Sequence, residues 1–228
     1  MEPKLDYFFH ETGDFIIREV FQNAAYPWEA LEKADEILKK VLIMESSTGW
    51  AAGISKNVHI QGDCAIGRGT VIHSGVTIMG PVVIGENCQI MPGALIRPGT
   101  IIGNNCVVGH GCEIKHSIVQ NYAKVQSMSF VGDSIIGRSA RVGSGVIVSN
   151  RRFDQSPIAG SPTAFLGCVL GDHARLGANS VTQPGTLIGP YSWVYPGTAV
   201  RGFIPECKRV YHPRPLVMAN HVPLTLKD

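Results

Sequence analysis

The sequence predicts an all-β chain wound as a parallel β-helix of six-residue repeats, and three observations predict it. From Ile54 to Ile114 an aliphatic residue returns at every sixth position: Ile54, Ile60, Ile66, Ile72, Ile78, Ile84, Ile90, Ile96, Ile102, Val108 and Ile114. Four places after each comes a small or branched residue, among them Val58, Cys64, Thr70, Val76, Val82, Cys88, Ala94 and Thr100. Glycines hold the same frame at Gly67, Gly85, Gly103 and Gly109, and again at Gly69, Gly75, Gly93, Gly99 and Gly111. A helix repeats near 3.6 residues and a strand at 2, so a period of six is neither. It marks a hexapeptide solenoid in which each hexad makes one short strand and one turn. Three hexads close a triangular coil, which stacks residues 18 apart at about 4.8 Å, the spacing of paired strands.

Residues 1–53 precede the repeat and read as a helical cap. Asp14 is placed to cap a short helix carrying Phe15, Ile17, Val20 and Phe21. Pro27 opens a longer one, as proline suits a first helical turn. Its Trp28, Leu31, Ala34, Leu38, Val41 and Leu42 form one apolar stripe. The expected role is to cover the open first coil, because a bare solenoid end exposes core and strand edges.

The helix proper is expected over 54–202. Its frame shortens by one residue twice, between Ile114 and Val119 and between Val131 and Ile136. Residues 150–166 break the pattern with Arg151, Arg152, Asp154, Pro157, Gly160 and Pro162, and read as a loop extruded from one corner. The repeat resumes at Leu170, Leu176, Thr182, Ile188, Val194 and Val200. Residues 203–228, with Pro205, Pro213, Pro215 and Pro223, are expected to run as an extended tail.

A net charge of +2 argues against a broad basic surface for nucleic acid. No apolar run reaches membrane-spanning length and no signal-peptide core opens the chain, so no membrane partner is expected. Four of the six cysteines (Cys64, Cys88, Cys106 and Cys112) fall on the inward small-residue position, where a reduced thiol packs as a small apolar group. No Cys-x-x-Cys occurs. Reduced core thiols imply a cytoplasmic protein.

Several strings carry a family resemblance. They are Arg97-Pro98-Gly99, Glu113-Ile114-Lys115, Val131 to Gly137, Val142-Gly143-Ser144-Gly145, and Ser149-Asn150 with Arg152-Phe153-Asp154. In order and content they resemble the C-terminal domain of the bifunctional UDP-N-acetylglucosamine pyrophosphorylase/glucosamine-1-phosphate N-acetyltransferase family, especially its archaeal-type relatives. The helix opened by Tyr26-Pro27-Trp28-Glu29 resembles the segment that joins the two domains there. The resemblance implies a left-handed helix, a homotrimer with sites between subunits, and acetyl-CoA or another acyl-CoA as donor. No metal is expected. It also implies a sugar phosphate or sugar nucleotide as the small-molecule partner. No glycine-rich nucleotidyltransferase loop precedes residue 54, so nucleotidyl transfer is not expected of this chain.

Carried over residue by residue, Arg97 and Lys115 match the family's phosphate-binding pair, and Asn150 matches an asparagine that contacts the sugar. Arg97 and Lys115 are also 18 residues apart in the frame, so they are expected to stack as two cations with an anion between them. The departures fall on the chemistry. Ser127 stands where the family has its histidine base, Phe130 where it has a tyrosine, Arg141 where it has an asparagine, and the family's loop lysine is missing, its place falling near Ser156. Serine cannot take a proton from an amine at neutral pH. His110 occupies the same place one coil earlier, brought to 17 residues from Ser127 by the first shortening. It is therefore the candidate base, with Ser127 beside it. His116, Asp133 and Asn150 form a second column on the neighbouring face.

Two other readings compete. Without base, tyrosine and lysine, the trimer is a retired site that binds sugar nucleotide or acts as a scaffold. Alternatively, Gly109-His110-Gly111-Cys112 with His116 and His73 resembles the zinc site of γ-class carbonic anhydrases. Here, however, the intervals are each one residue too long, and the side chains point differently.

Overall fold

The computed structural model describes residues 4–45, 53–158 and 160–212. It is a left-handed parallel β-helix with a helical N-terminal segment. Among the described residues, twenty-five short strands form three parallel sheets. The first has nine strands, from Gly53–Ile54 to Arg209–Val210. The second has eight, from His59–Gln61 to Ala199–Val200, and the third eight, from Cys64–Ile66 to Phe203–Ile204. Strands 18 residues apart pair in register in the early coils, as Ile78 does with Ile96. The repeated aliphatics point inward and stack with Cys88, Cys106, Cys112 and Cys168 in one continuous core. All six cysteines are free, and burial pushes the Cys64 thiol up to about 11.

Both frame shortenings lie at one corner, where the second sheet turns into the third. There Ile114 pairs Val131 and Ile118 pairs Ile135, each 17 residues apart. The tighter turn needs one left-handed residue, supplied by His116 (φ 42°) and Asp133 (φ 48°). That conformation is costly outside glycine, so the packing around these two residues holds it. The extruded loop leaves from the same corner one coil later and returns to it through an Arg151–Phe165 bridge.

Past residue 202, where an extended tail was expected, two further strands continue the coil. Phe203–Ile204 pairs with Thr186–Ile188, and Arg209–Val210 with Trp193–Val194. The frame is hidden there because Ile204 follows Val200 by only four residues. The rest of the expected tail, 213–228, lies outside the described residues.

The N-terminal segment contains a short helix α1 (Leu5–Phe8) and a long one, α2 (Pro27–Glu45). Between them lies a single 3₁₀ turn at Arg18–Val20, in place of the expected capped helix. Asp14 caps nothing; its carboxylate takes the Arg138 guanidinium at 2.8 Å. The segment runs along the outside of the third sheet instead of over the open first coil. Tyr7 accepts a hydrogen bond from the Glu206 amide near the end of the helix, whereas α2 packs beside the strands Cys64–Ile66 and Val82–Ile84. The cause is a second apolar row. The outward residues of this sheet are Ala65, Val83, Ile101, Ile118, Ile135, Val169 and Leu187, and they join Phe8, Phe15, Phe21, Trp28, Leu31 and Leu38 in a separate core.

Candidate functional site

Two corners of the triangular coil carry the residues singled out by sequence. His110 and Ser127 lie where the first sheet turns into the second. Val108 pairs Val125, and the Met128 amide donates to the His110 carbonyl at 2.8 Å, so the two are neighbours on adjacent rungs. Gly109 permits this approach: a methyl there would run into the Ser127 amide nitrogen. Among the described residues no hydrogen bond joins the two side chains. The His110 ring is exposed and hydrogen-bonds through Nδ1 to the Pro92 carbonyl at 2.7 Å. A carbonyl only accepts, so Nδ1 carries the proton and Nε2 is left with a free lone pair. That is the tautomer a general base requires.

A groove of about 510 Å³ starts beside Ser127 at Gln126 and follows the same corner to Tyr195 and Pro196, past Gly143, Ser144, Gly177 and Ala178. Arg141, Arg175 and Trp193 wall it from the outer face of the first sheet. They belong to a ladder in register: Lys124, Arg141, Arg175, Trp193, Arg209. Arg175 and Arg209 lie 5.7 and 5.3 Å from the Trp193 ring centre. All four cations are exposed, and among the described residues none has a carboxylate partner. Sequence reasoning passed over this ladder. Its signal was the position just before each repeat aliphatic, counted in steps of whole coils.

Arg97, Lys115 and Asn150 lie at the other corner, between the second and third sheets. The expected pair of bare cations is not there. Arg97 binds Glu113 at 2.7 Å and Lys115 binds Asp133 at 3.1 Å, so each is neutralised within the chain. Arg97 and Lys115 keep their 18-residue register, but the one-residue shortening pairs Lys115 with Gly132 and sets Asp133 next to His116, where its carboxylate reaches both side chains. His116, Asp133 and Asn150 do form a hydrogen-bonded row. Asp133 takes His116 Nδ1 at 3.0 Å and the Asn150 amide. Burial works to raise the Asp133 carboxyl, but the donors His116, Asn150 and Lys115 outweigh it and hold it below the usual carboxylate range. The hydrogen bond to Asp133 raises the His116 imidazole against the opposing effect of burial, with help from Asp35 of α2. His116 Nε2 is 3.6 Å from the Asp35 carboxylate.

The three histidines of the zinc reading stand on separate partners: His73 on Gln89 at 3.2 Å, His110 on Pro92, His116 on Asp133. Among the described residues no three His, Cys, Asp or Glu side chains come together in a way that could hold a metal ion. No helix among them is long and apolar enough to cross a membrane.

Residues 78–192 match the family described as the GMPPB C-terminal domain. A bifunctional sugar-1-phosphate nucleotidylyltransferase/acetyltransferase of Sulfurisphaera tokodaii is 31% identical over 182 residues, 76% of this chain and 44% of that protein. The bifunctional protein GlmU of Methanococcus maripaludis strain C5 is 34% identical over 207 residues, 88% of this chain and 49% of that protein. An uncharacterized acetyltransferase, YaiX, of Escherichia coli O6:K15:H31 is 35% identical over 185 residues, 78% of this chain and 74% of that protein. The chain thus spans a little under half the length of the bifunctional relatives.

Proposed function

The chain belongs to the GMPPB C-terminal domain family, and from that membership we propose that it transfers an acyl group from acyl-CoA to an amino sugar phosphate or sugar nucleotide. Relatives named as acetyltransferases support the reaction class. The observation that carries the reading is the groove that begins at Gln126, the residue before Ser127 and one rung from His110, and is walled by Arg141 and Arg175. A thioester carried by a long, phosphate-bearing donor needs a channel ending at a base, with cations along it for the phosphates.

In the proposed step the acceptor amine attacks the thioester carbonyl. The new C–N bond forms and the C–S bond breaks. His110 Nε2 takes the amine proton and returns it to the departing sulfur, which leaves as thiol. His110 thus takes the role lost at Ser127. Arg97 and Lys115 each already share their charge with a carboxylate, Glu113 and Asp133, which weakens their pull on a phosphate. Phe130 replaces a hydroxyl that the family offers. Both features favour an acceptor other than glucosamine 1-phosphate. The sealed cations also favour a second reading, a non-catalytic trimer that binds sugar nucleotide.

Thiol release from acetyl-CoA, followed across a panel of amino sugars, their phosphates and sugar nucleotides, tests the proposal. With an active acceptor, His110→Ala is expected to lose about 10²-fold or more in kcat while coenzyme A binding is kept. An active enzyme indifferent to His110→Ala removes the base assignment. No thiol release with any acceptor, together with no coenzyme A binding, selects the non-catalytic reading.

A further inference from the structure

Ser127 carries a hydroxyl that the coil leaves unused. Ser117, Ser129, Ser134, Ser180 and Ser192 each give their hydroxyl to a backbone carbonyl, at 2.6 to 2.9 Å. Ser127 Oγ has no hydrogen-bond partner among the described residues, although the residue is half-buried. The backbone that carries it is held from both neighbouring rungs. The Met128 amide donates to the His110 carbonyl at 2.8 Å, and the Gly145 amide donates to the Ser127 carbonyl at 2.9 Å.

Three further features surround this hydroxyl. The first is His110, one rung away at the spacing of about 4.8 Å between paired strands. Its Nδ1 is fixed on the Pro92 carbonyl, which leaves the Nε2 lone pair open. The second is a pair of open backbone donors. At the corner between the third and first sheets, three amides two places after a repeat aliphatic are taken by side chains. Glu86 donates to Asn104, Asn104 to Asn121 and Arg138 to Asp172, each at 2.8 Å. The matching amides here, those of Ser127 and Ser144, have no acceptor among the described residues. The third is the groove, which begins at Gln126 and passes Ser144. A hydroxyl, a base oriented through its other nitrogen, and unoccupied N–H groups for a carbonyl oxygen are the parts of nucleophilic acyl transfer.

We propose that Ser127 is itself an acyl acceptor, so that beside direct transfer to a bound amine the chain forms an acyl-serine when no amine is present. The proposal rests on the acyl-CoA reading above and adds a covalent route to it. Ser127 Oγ attacks the thioester carbonyl carbon while His110 Nε2 takes the hydroxyl proton. The carbonyl oxygen, now negative, is held by the Ser127 and Ser144 N–H groups. The Oγ–C bond forms and the C–S bond breaks. The proton passes from His110 to the sulfur, which leaves as thiol. Discharge runs the same way: water or an acceptor attacks the ester and gives its proton to His110, and Ser127 Oγ takes that proton back as it leaves.

The test needs no acceptor. The full chain is incubated with acetyl-CoA alone, quenched in acid and weighed by mass spectrometry, with released thiol followed in parallel. The expected result is a gain of one acetyl group, mapped by peptide digestion to Ser127, with slow thiol release. Where water discharges the ester faster than it forms, thiol release is the signal that remains. Ser127→Ala should abolish both signals and keep coenzyme A binding in calorimetry. His110→Ala should slow acylation by about 10²-fold or more. An acetyl group on a different residue overturns the proposal. So does a Ser127→Ala protein equal to wild type in both adduct and thiol release. Either result leaves the donor reading intact. A wild type that binds no coenzyme A removes the donor reading, and this proposal with it.

Discussion

Asp133 is the residue on which most of the second corner depends. It is almost fully buried, and Lys115, His116 and Asn150 all donate hydrogen bonds to it. Asp133→Asn leaves two cationic side chains facing an amide and is expected to cost about 3–5 kcal/mol in chemical denaturation. The pH dependence has two limbs. His116 is raised in the folded state, so its contribution is whole below about pH 6.5, the free imidazole value, and is lost as pH rises through the elevated folded value. Asp133 is depressed, so its contribution is whole above about pH 3.9 and is lost as pH falls through the folded value. Thermal melts from pH 3 to 9 should therefore show the network at full strength between those two values. His116→Gln should remove the alkaline decline contributed by this site. At the other corner Gly109→Ala should overpack the rungs that carry His110 and Ser127, costing about 1–3 kcal/mol and lowering any transferase activity.

The three sheets share a backbone but not an outer surface. The residue just before each repeat aliphatic is Gln89, Lys124, Arg141 or Arg175 in the first sheet and Val83, Ile101, Ile118 or Ile135 in the third. Only the second of these rows requires a cover, and the N-terminal segment supplies it. Ile101 is fully buried although it points out of the coil, whereas Gln89 is exposed at the matching position. Ile101→Ala should cost about 2–5 kcal/mol, as in any core. Gln89→Ala should stay within about 0.5 kcal/mol. Equal effects in urea denaturation would show that the segment does not hold the sheet. The stripe on α2 was legible from its helical period, and so was the helix's start at Pro27. Its seat was not, because an outward apolar row in a six-residue frame looks like ordinary strand composition until the coils are stacked.

For the molecule as a whole, one flank is covered by the chain itself, one is cationic and one is open. On the open second sheet Ile147 and Val181 are 43% and 36% exposed, in line with Phe130 and, past Glu113, with Leu95. Such a row on a flat face suits packing against another copy, in keeping with the expected trimer. Light scattering at micromolar concentration should give three times the 24.6 kDa chain mass. Ile147→Glu should shift it toward the monomer, since it places a charge in that face. A monomer mass for the wild type would remove both the trimer and any site built between subunits.

The sequence by itself determined the coil. Every rung repeats the same inward demand for an aliphatic and a small residue, so the period, the two shortenings, the extruded loop and the nearness of His110 to Ser127 could all be counted along one dimension. Counting also placed His116, Asp133 and Asn150 in one column. Tertiary structure decided what the outward side chains do. Arg97 and Lys115 were expected to share an anion, but each has a carboxylate within reach across a rung and takes it. The N-terminal segment was expected over the first coil, but it packs on the outward apolar row of the third sheet. The physical reason is the same in both cases. An inward residue has one environment, prescribed by its place in the repeat, whereas an outward one chooses among neighbours brought by other coils, a helix or a loop. That choice follows from burial and charge in three dimensions.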